Sequence, residues 1–137
     1  CAAGCAEVDV EEAVAVAEAP GRAGGDGTNT TPEGPAGRES PNRVEAGGLW
    51  GAPTEGRATG MVRFVAERTD LPVVGVGGVA DARGAYAKIR AGASVVQLYT
   101  ALVYEGPGVA RDINKGLLDL IERDGFDSVG DAVGADL

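Results

Sequence analysis

Histidine is absent from this 137-residue chain, and lysine occurs only as Lys88 and Lys115. The two cysteines, Cys1 and Cys5, stand four apart near one end. Without histidine or a second cysteine pair, a zinc site is not expected. Two cysteines so placed read as incidental rather than as a bridge. The 21 acidic residues outnumber the 12 basic ones, for a net charge of -9. That balance argues against nucleic acid as a partner, because phosphate backbones require a basic surface. An acidic surface suits a high-salt cytoplasm, where carboxylates stay hydrated and their repulsion is screened. Ordinary acidic solubility explains the same composition equally well. No apolar run approaches the length of a membrane span. A first residue of cysteine instead of methionine reads as a processed, trimmed or partial chain.

What is present is concentrated in the later two thirds. Val8 to Ala19 reads as a short helix with Val10, Ala13, Val14 and Ala17 on one face, stopped by Pro20-Gly21. From there to Pro53 the chain is rich in glycine and proline and poor in large apolar residues, the composition of a loop. We therefore divide it at residue 53, into segment 1–53 and β/α units over 54–137. Thr54 is expected to cap a helix running to about Thr69, with Ala58, Met61, Val62 and Val65 at helical spacing. Pro72 to Val76 predicts a buried strand. Asp81 predicts a helix cap, with Ala82, Ala85, Tyr86 and Ile89 facing inward and Gly92 closing the helix. Arg83 and Lys88 on that helix are expected to point to water. Ser94 to Tyr99 predicts a second strand. Gly106-Pro107 opens a long helix with Val109, Ile113, Leu117, Leu120 and Ile121 as its stripe and Gly125 as its stop. Ser128 to Val133 predicts a last short helix. Alternating α and β implies a parallel sheet.

Two apolar runs end in residues suited to hold a phosphate. Leu71-Pro-Val-Val-Gly-Val-Gly-Gly-Val79 ends in paired glycines, and Ala91-Gly-Ala-Ser-Val-Val-Gln-Leu-Tyr-Thr100 ends in Tyr99 and Thr100. In a (β/α)8 barrel the loops after strands 7 and 8 form the usual phosphate site. Glycine lets backbone N–H groups approach the anion, and a helix N-terminus adds positive potential. The alternative for Gly77 and Gly78 is a tight strand-to-helix turn. A whole barrel typically needs about 250 residues, so this chain corresponds to about half of one.

Four ordered segments resemble the dihydroorotate dehydrogenase family. They are Thr28-Asn-Thr-Thr31, Gly47-Gly-Leu-Trp-Gly-Ala-Pro53, Gly75-Val-Gly-Gly78, and Val96-Gln-Leu-Tyr-Thr100 with Tyr104-Glu-Gly-Pro107. The tail Asp124-Gly-Phe-Asp-Ser-Val-Gly-Asp-Ala-Val-Gly-Ala-Asp136 is similar to the membrane-associated, quinone-using class. The resemblance implies an α/β fold, the C-terminal half of a (β/α)8 TIM barrel, with FMN as cofactor. It implies that Thr28 touches the flavin and that Asn29 and Thr30 hydrogen-bond the orotate ring and carboxylate. Gly51 and Gly78 would offer backbone contacts to the ribityl phosphate, and Tyr99 and Thr100 would complete the phosphate cradle. The implied reaction removes the C5 proton of dihydroorotate and passes hydride from C6 to flavin N5, with a quinone reoxidising the flavin in pyrimidine synthesis. The cofactor supplies that chemistry while the protein positions and polarises.

Some family features are missing. The base-bearing serine belongs to the barrel's first half, so no catalytic residue is assigned here and no turnover is expected from the chain alone. The membrane-facing N-terminal helices are absent too; family members associate with the cytoplasmic side of the membrane, and this fragment is expected in the cytoplasm. Where the family has a small serine, Trp50 stands, with bulk that would intrude on the flavin pocket. The strand before Thr28 lacks apolar character. Tyr86 and Tyr104 read as structural and Trp50 as a loop anchor or surface residue. Two rivals stand beside the main reading. One is a fragment of another FMN- or phosphate-binding barrel, such as an inosine monophosphate dehydrogenase-like protein. The other is a non-catalytic half barrel that binds a phosphate, self-associates or pairs with a missing half, because half barrels leave strand edges and a sheet face uncovered.

Overall fold

A computed structural model describes residues 11, 14, 15, 24 and 49–137. Five α-helices and two strands follow one another from residue 55: α1 (Glu55–Ala66), β1 (Val73–Val76), α2 (Ala82–Arg90), β2 (Ala93–Gln97), α3 (Thr100–Glu105), α4 (Gly108–Arg123) and α5 (Val129–Ala132). β1 and β2 are parallel neighbours joined through α2. The expected alternation and parallel pairing are both present. Val73 pairs with Ala93 and Val74 with Val95, so Ser94 is an extra residue that breaks the register.

Strand alternation gives the two faces different tasks. Val73 packs with Val62 and Val65 of α1, and Gly75 lies against α2. Val74 and Val76 therefore face the other way, with Val95 and Gln97 beside them in the register. On that second face Val95 is 59% exposed.

The helices follow their sequence stripes with some corrections. α1 buries Ala58, Val62 and Val65 and ends at Ala66, three residues before the expected end. Glu67 and Arg68 continue only as a turn, through hydrogen bonds back to Arg63 and Val65. Thr54 does not cap α1 in the expected way. Its hydroxyl donates to the Gly51 carbonyl at 2.8 Å within a 3-10 turn, Ala52–Thr54, and accepts no hydrogen bond from the first turn of α1. Asp81 does cap α2, accepting from the Gly84 N–H at 2.9 Å. Gly92 ends that connection at φ 109, where an added Cβ would lie 2.3 Å from the Ala66 Cβ.

α4 buries Val109, Ile113 and Ile121 against α2 and α3. It crosses α2 closely because Gly116 has no side chain; a Cβ there would sit 2.5 Å from the Ala82 Cβ. α5 starts at Ser128, whose Oγ accepts from the Asp131 N–H at 3.3 Å and donates to the Asp131 carboxylate at 2.7 Å. The chain end then lies back on α2, where Gly134 and Asp136 donate to the carbonyls of Ile89 and Arg90. Arg90 clamps it by pairing with Asp136 and with Asp124 at 2.8 Å. Asp124 also accepts from the Tyr86 hydroxyl at 3.0 Å. Hydrogen bonds from Arg123 and then Tyr86 hold the Asp124 carboxyl below the usual carboxylate range, and burial pushes the Tyr86 phenol up. Tyr86 is thus structural, as expected. Tyr104 is 82% exposed on α3 and belongs to no core cluster among the described residues.

Within the helix expected at Val8 to Ala19, the described residues Glu11, Val14 and Ala15 are helical. Val14 packs on the Val62–Val65 cluster, and Glu11 pairs with Arg68 at 3.3 Å. Gly24 passes close to the start of β1, since a Cβ on it would lie 2.7 Å from the Pro72 carbonyl oxygen.

Candidate functional site

Both strands end at one recess. Its walls come from Trp50 and Gly51, from Val76 to Val79, and from Gln97 to Thr100, and its volume is about 20 Å³. Gly51, Gly78, Tyr99 and Thr100, from three segments of the chain, therefore converge on one place. Thr28, Asn29 and Thr30 lie outside the described residues.

The glycines are required by backbone shape and by space. Gly77 and Gly78 have φ 94 and 73, the left-handed region that side chains resist. A Cβ on Gly78 would lie 2.4 Å from Glu55 Cα and 2.5 Å from Glu55 N, so the turn rests directly on the first turn of α1. A Cβ on Gly77 would lie 2.9 Å from the Ala58 Cβ. Gly77 and Gly78 thus form the tight strand-to-helix turn that was the alternative reading for them. Among the described residues the Gly78 N–H makes no hydrogen bond.

The second strand was expected to run to Tyr99, with a loop after it. It ends at Gln97, Tyr99 precedes α3 and Thr100 begins it. This short helix leaves no periodic trace because its apolar residues show no inward stripe: only Ala101 is buried. The first-turn N–H groups of a helix have no intrahelical partner, so this end offers donors. The Thr100 side chain is half-buried, with its methyl 3.3 Å from where a Gly51 Cβ would be. Tyr99 is 67% exposed, and its ring lies 6.3 Å from that of Trp50 at 54°. Trp50 is a wall of the recess and half exposed, consistent with a loop or surface residue.

Lys88 overturns its expectation. It is completely buried, and its Nζ donates to Thr59 Oγ1 at 2.9 Å. Arg83, by contrast, is exposed as expected. Burial pushes the Lys88 ammonium below the usual lysine range, and the Glu55 carboxylate offsets part of that shift. The available signal was Gly75: a strand glycine facing α2 leaves a groove that a long side chain can fill. No cluster of three metal-ligating side chains occurs among the described residues.

The arrangement offers backbone donors and one hydroxyl around a recess with room for about one water-sized group.

The family model for dihydroorotate dehydrogenase matches residues 7–121. Dihydroorotate dehydrogenase (quinone) of Haloarcula marismortui is 72% identical over 110 residues, 80% of this chain and 31% of the relative. The Halobacterium salinarum enzyme of the same name is 67% identical over 128 residues, 93% of this chain and 37% of the relative. The chain thus spans about a third of the length of these relatives. In fold it is similar to the crystal structure of the Eimeria tenella dihydroorotate dehydrogenase in complex with ferulenol. That match has TM-score 0.89 and 34% identity and covers 97% of this chain and 36% of the other. A ligand-free structure of the same protein gives TM-score 0.90 with 38% of that chain covered. With most of its residues matched by the family model and its backbone superposing on a solved member, the chain belongs to the dihydroorotate dehydrogenase family.

Proposed function

We propose that the chain is the C-terminal half of a (β/α)8 barrel whose whole protein oxidises dihydroorotate to orotate with FMN as cofactor and a quinone as acceptor. The observation that carries the reading is the convergence of Gly51, Gly78, Tyr99 and Thr100 at the C-terminal ends of two parallel strands, where barrels of this kind hold phosphate. The backbone of Gly51 and Gly78, the backbone of Tyr99 and the hydroxyl of Thr100 would hold the FMN phosphate. Thr28 would touch the flavin, and Asn29 and Thr30 would orient the substrate. Bound FMN would supply the two-electron acceptor. The chain's own residues bind and orient, and none of them removes the C5 proton. The chain alone therefore turns over no dihydroorotate, and detectable oxidation by it would refute that part.

The test is a fluorescence titration of the purified chain in near-molar KCl with FMN and, separately, with riboflavin. Saturable quenching by FMN, weaker for riboflavin and lost in Gly78→Val, is the expected result. Equal binding of the two flavins, or none, would overturn the phosphate reading.

A specific observation also favours association with a missing barrel half or a second copy. Val95 on the second sheet face and Leu102, Val103 and Tyr104 on α3 are exposed apolar residues. A size in solution that grows with concentration is expected; a monomer at all concentrations would count against it.

A further inference from the structure

A buried charge needs a reason, since well-packed apolar residues of similar volume often serve stability as well or better. Lys88 is buried completely, belongs to none of the walls of the recess, and yet touches both elements that shape it. Its stem fills the space left by Gly75, where an added Cβ would lie 3.2 Å from both Lys88 Cβ and Cδ. Gly75 lies two residues before Gly77, on the strand that delivers the glycine turn. At the other end, Nζ donates to Thr59 Oγ1 at 2.9 Å, and that hydroxyl donates to the Glu55 carbonyl at 2.9 Å. Glu55 supplies the N and Cα atoms on which Gly78 rests.

We infer that Lys88 is a positioning residue for the phosphate-binding turn, clamping β1 to the first turn of α1 so that Gly77 and Gly78 keep their left-handed geometry. The inference rests on the FMN-phosphate reading above and adds to it the Lys88–Thr59–Glu55 relay behind the site, buried at Lys88 and half-buried at Thr59 and Glu55. Lys88 touches no ligand. It acts through the seat of Gly78, in the way that groups behind a binding site hold those that contact the ligand.

The experiment compares wild type with Lys88→Met, which keeps the stem and loses the ammonium, and with Thr59→Ala, which removes the acceptor. Thr59→Ser, which retains the hydroxyl, is the conservative control. Two readouts are taken on each folded variant. The first is the ratio of FMN to riboflavin affinity. The second, made without flavin, is the set of backbone amide NMR shifts at Gly77 and Gly78. In Lys88→Met and Thr59→Ala, FMN affinity is expected to fall roughly tenfold, the scale of one lost phosphate hydrogen bond. Riboflavin affinity stays within about twofold by the same scale, the two glycine amides move, and Thr59→Ser restores wild-type behaviour. Should Lys88→Met not fold, Thr59→Ala carries the same comparison.

Unmoved Gly77 and Gly78 amides would overturn the inference, whatever flavin does. So would equal losses for FMN and riboflavin, which mark a general structural role. Wild-type protein without FMN preference would instead defeat the phosphate reading, while the amide shifts still report whether the relay sets the turn.

Discussion

Substituting alanine for Gly78 tests the seat of the turn most directly. Two costs apply. At φ 73 an alanine is strained by about 1–2 kcal/mol. Its Cβ would also meet the Glu55 backbone at 2.4 Å, so α1 or the turn must shift. Forcing extra volume into a packed contact costs typically about 1–3 kcal/mol. Gly125 separates the two costs. It has φ 80, with nothing within 4 Å of a Cβ, so Gly125→Ala carries strain alone. Urea unfolding in near-molar KCl, with equal slopes demanded of all three proteins, gives the two differences. Gly78→Ala is expected to lose about 2–5 kcal/mol by summing the two costs, and Gly125→Ala about 1–2 kcal/mol. A Gly78→Ala loss no larger than that of Gly125→Ala would refute the close seating on Glu55. FMN affinity is expected to fall in the first variant and to stay unchanged in the second.

Lys88 carries a pH signature. Its folded pKa lies below its usual value of 10.5, so between the two the unfolded chain binds more protons and stability rises with pH. Subtracting the Lys88→Met stability profile from that of wild type isolates this rise, and a flat difference up to pH about 10.5 would contradict it. Asp124 has a dependence of the same sign at acid pH: its lowered pKa stabilises the fold above the usual carboxylate value, and that contribution is lost as pH falls through the folded one. Asp124→Asn should accordingly speed amide hydrogen exchange at Gly134 and Asp136, where the chain end is held on α2; unchanged protection would show that Asp136 alone secures it. Ile113→Ala removes a buried contact between α4 and its neighbours and should cost about 2–5 kcal/mol in the same unfolding assay. Ser128→Ala removes the α5 cap and should cost about 1 kcal/mol, a loss that aspartate at the same position should largely restore.

What was legible in the sequence depended on short-range causes. Asp81 caps α2 because the N–H it accepts from belongs to a residue three positions away. Gly92 and Gly125 stop helices because their own φ is positive. The α4 stripe of Val109, Ile113 and Ile121 is a property of helical spacing. The family could be named from Gly75-Val-Gly-Gly78 and Val96-Gln-Leu-Tyr-Thr100, because those motifs are themselves contiguous.

The misreadings share a different cause. Thr54 looks like a cap until Gly51 provides a carbonyl for its hydroxyl to donate to. Thr100 looks like a loop residue because α3 buries only Ala101 and leaves no periodic trace. Lys88 looks like a surface residue because charge predicts exposure. Its burial is decided by a glycine on a strand 13 residues earlier and a hydroxyl on another helix. The sequence by itself determined the alternation of helix and strand, the caps and stops, the acidic balance and the family. Only the tertiary structure decided that Gly51, Gly78, Tyr99 and Thr100 share one recess and that a lysine is buried behind it. Both depend on distances between elements that no local pattern encodes.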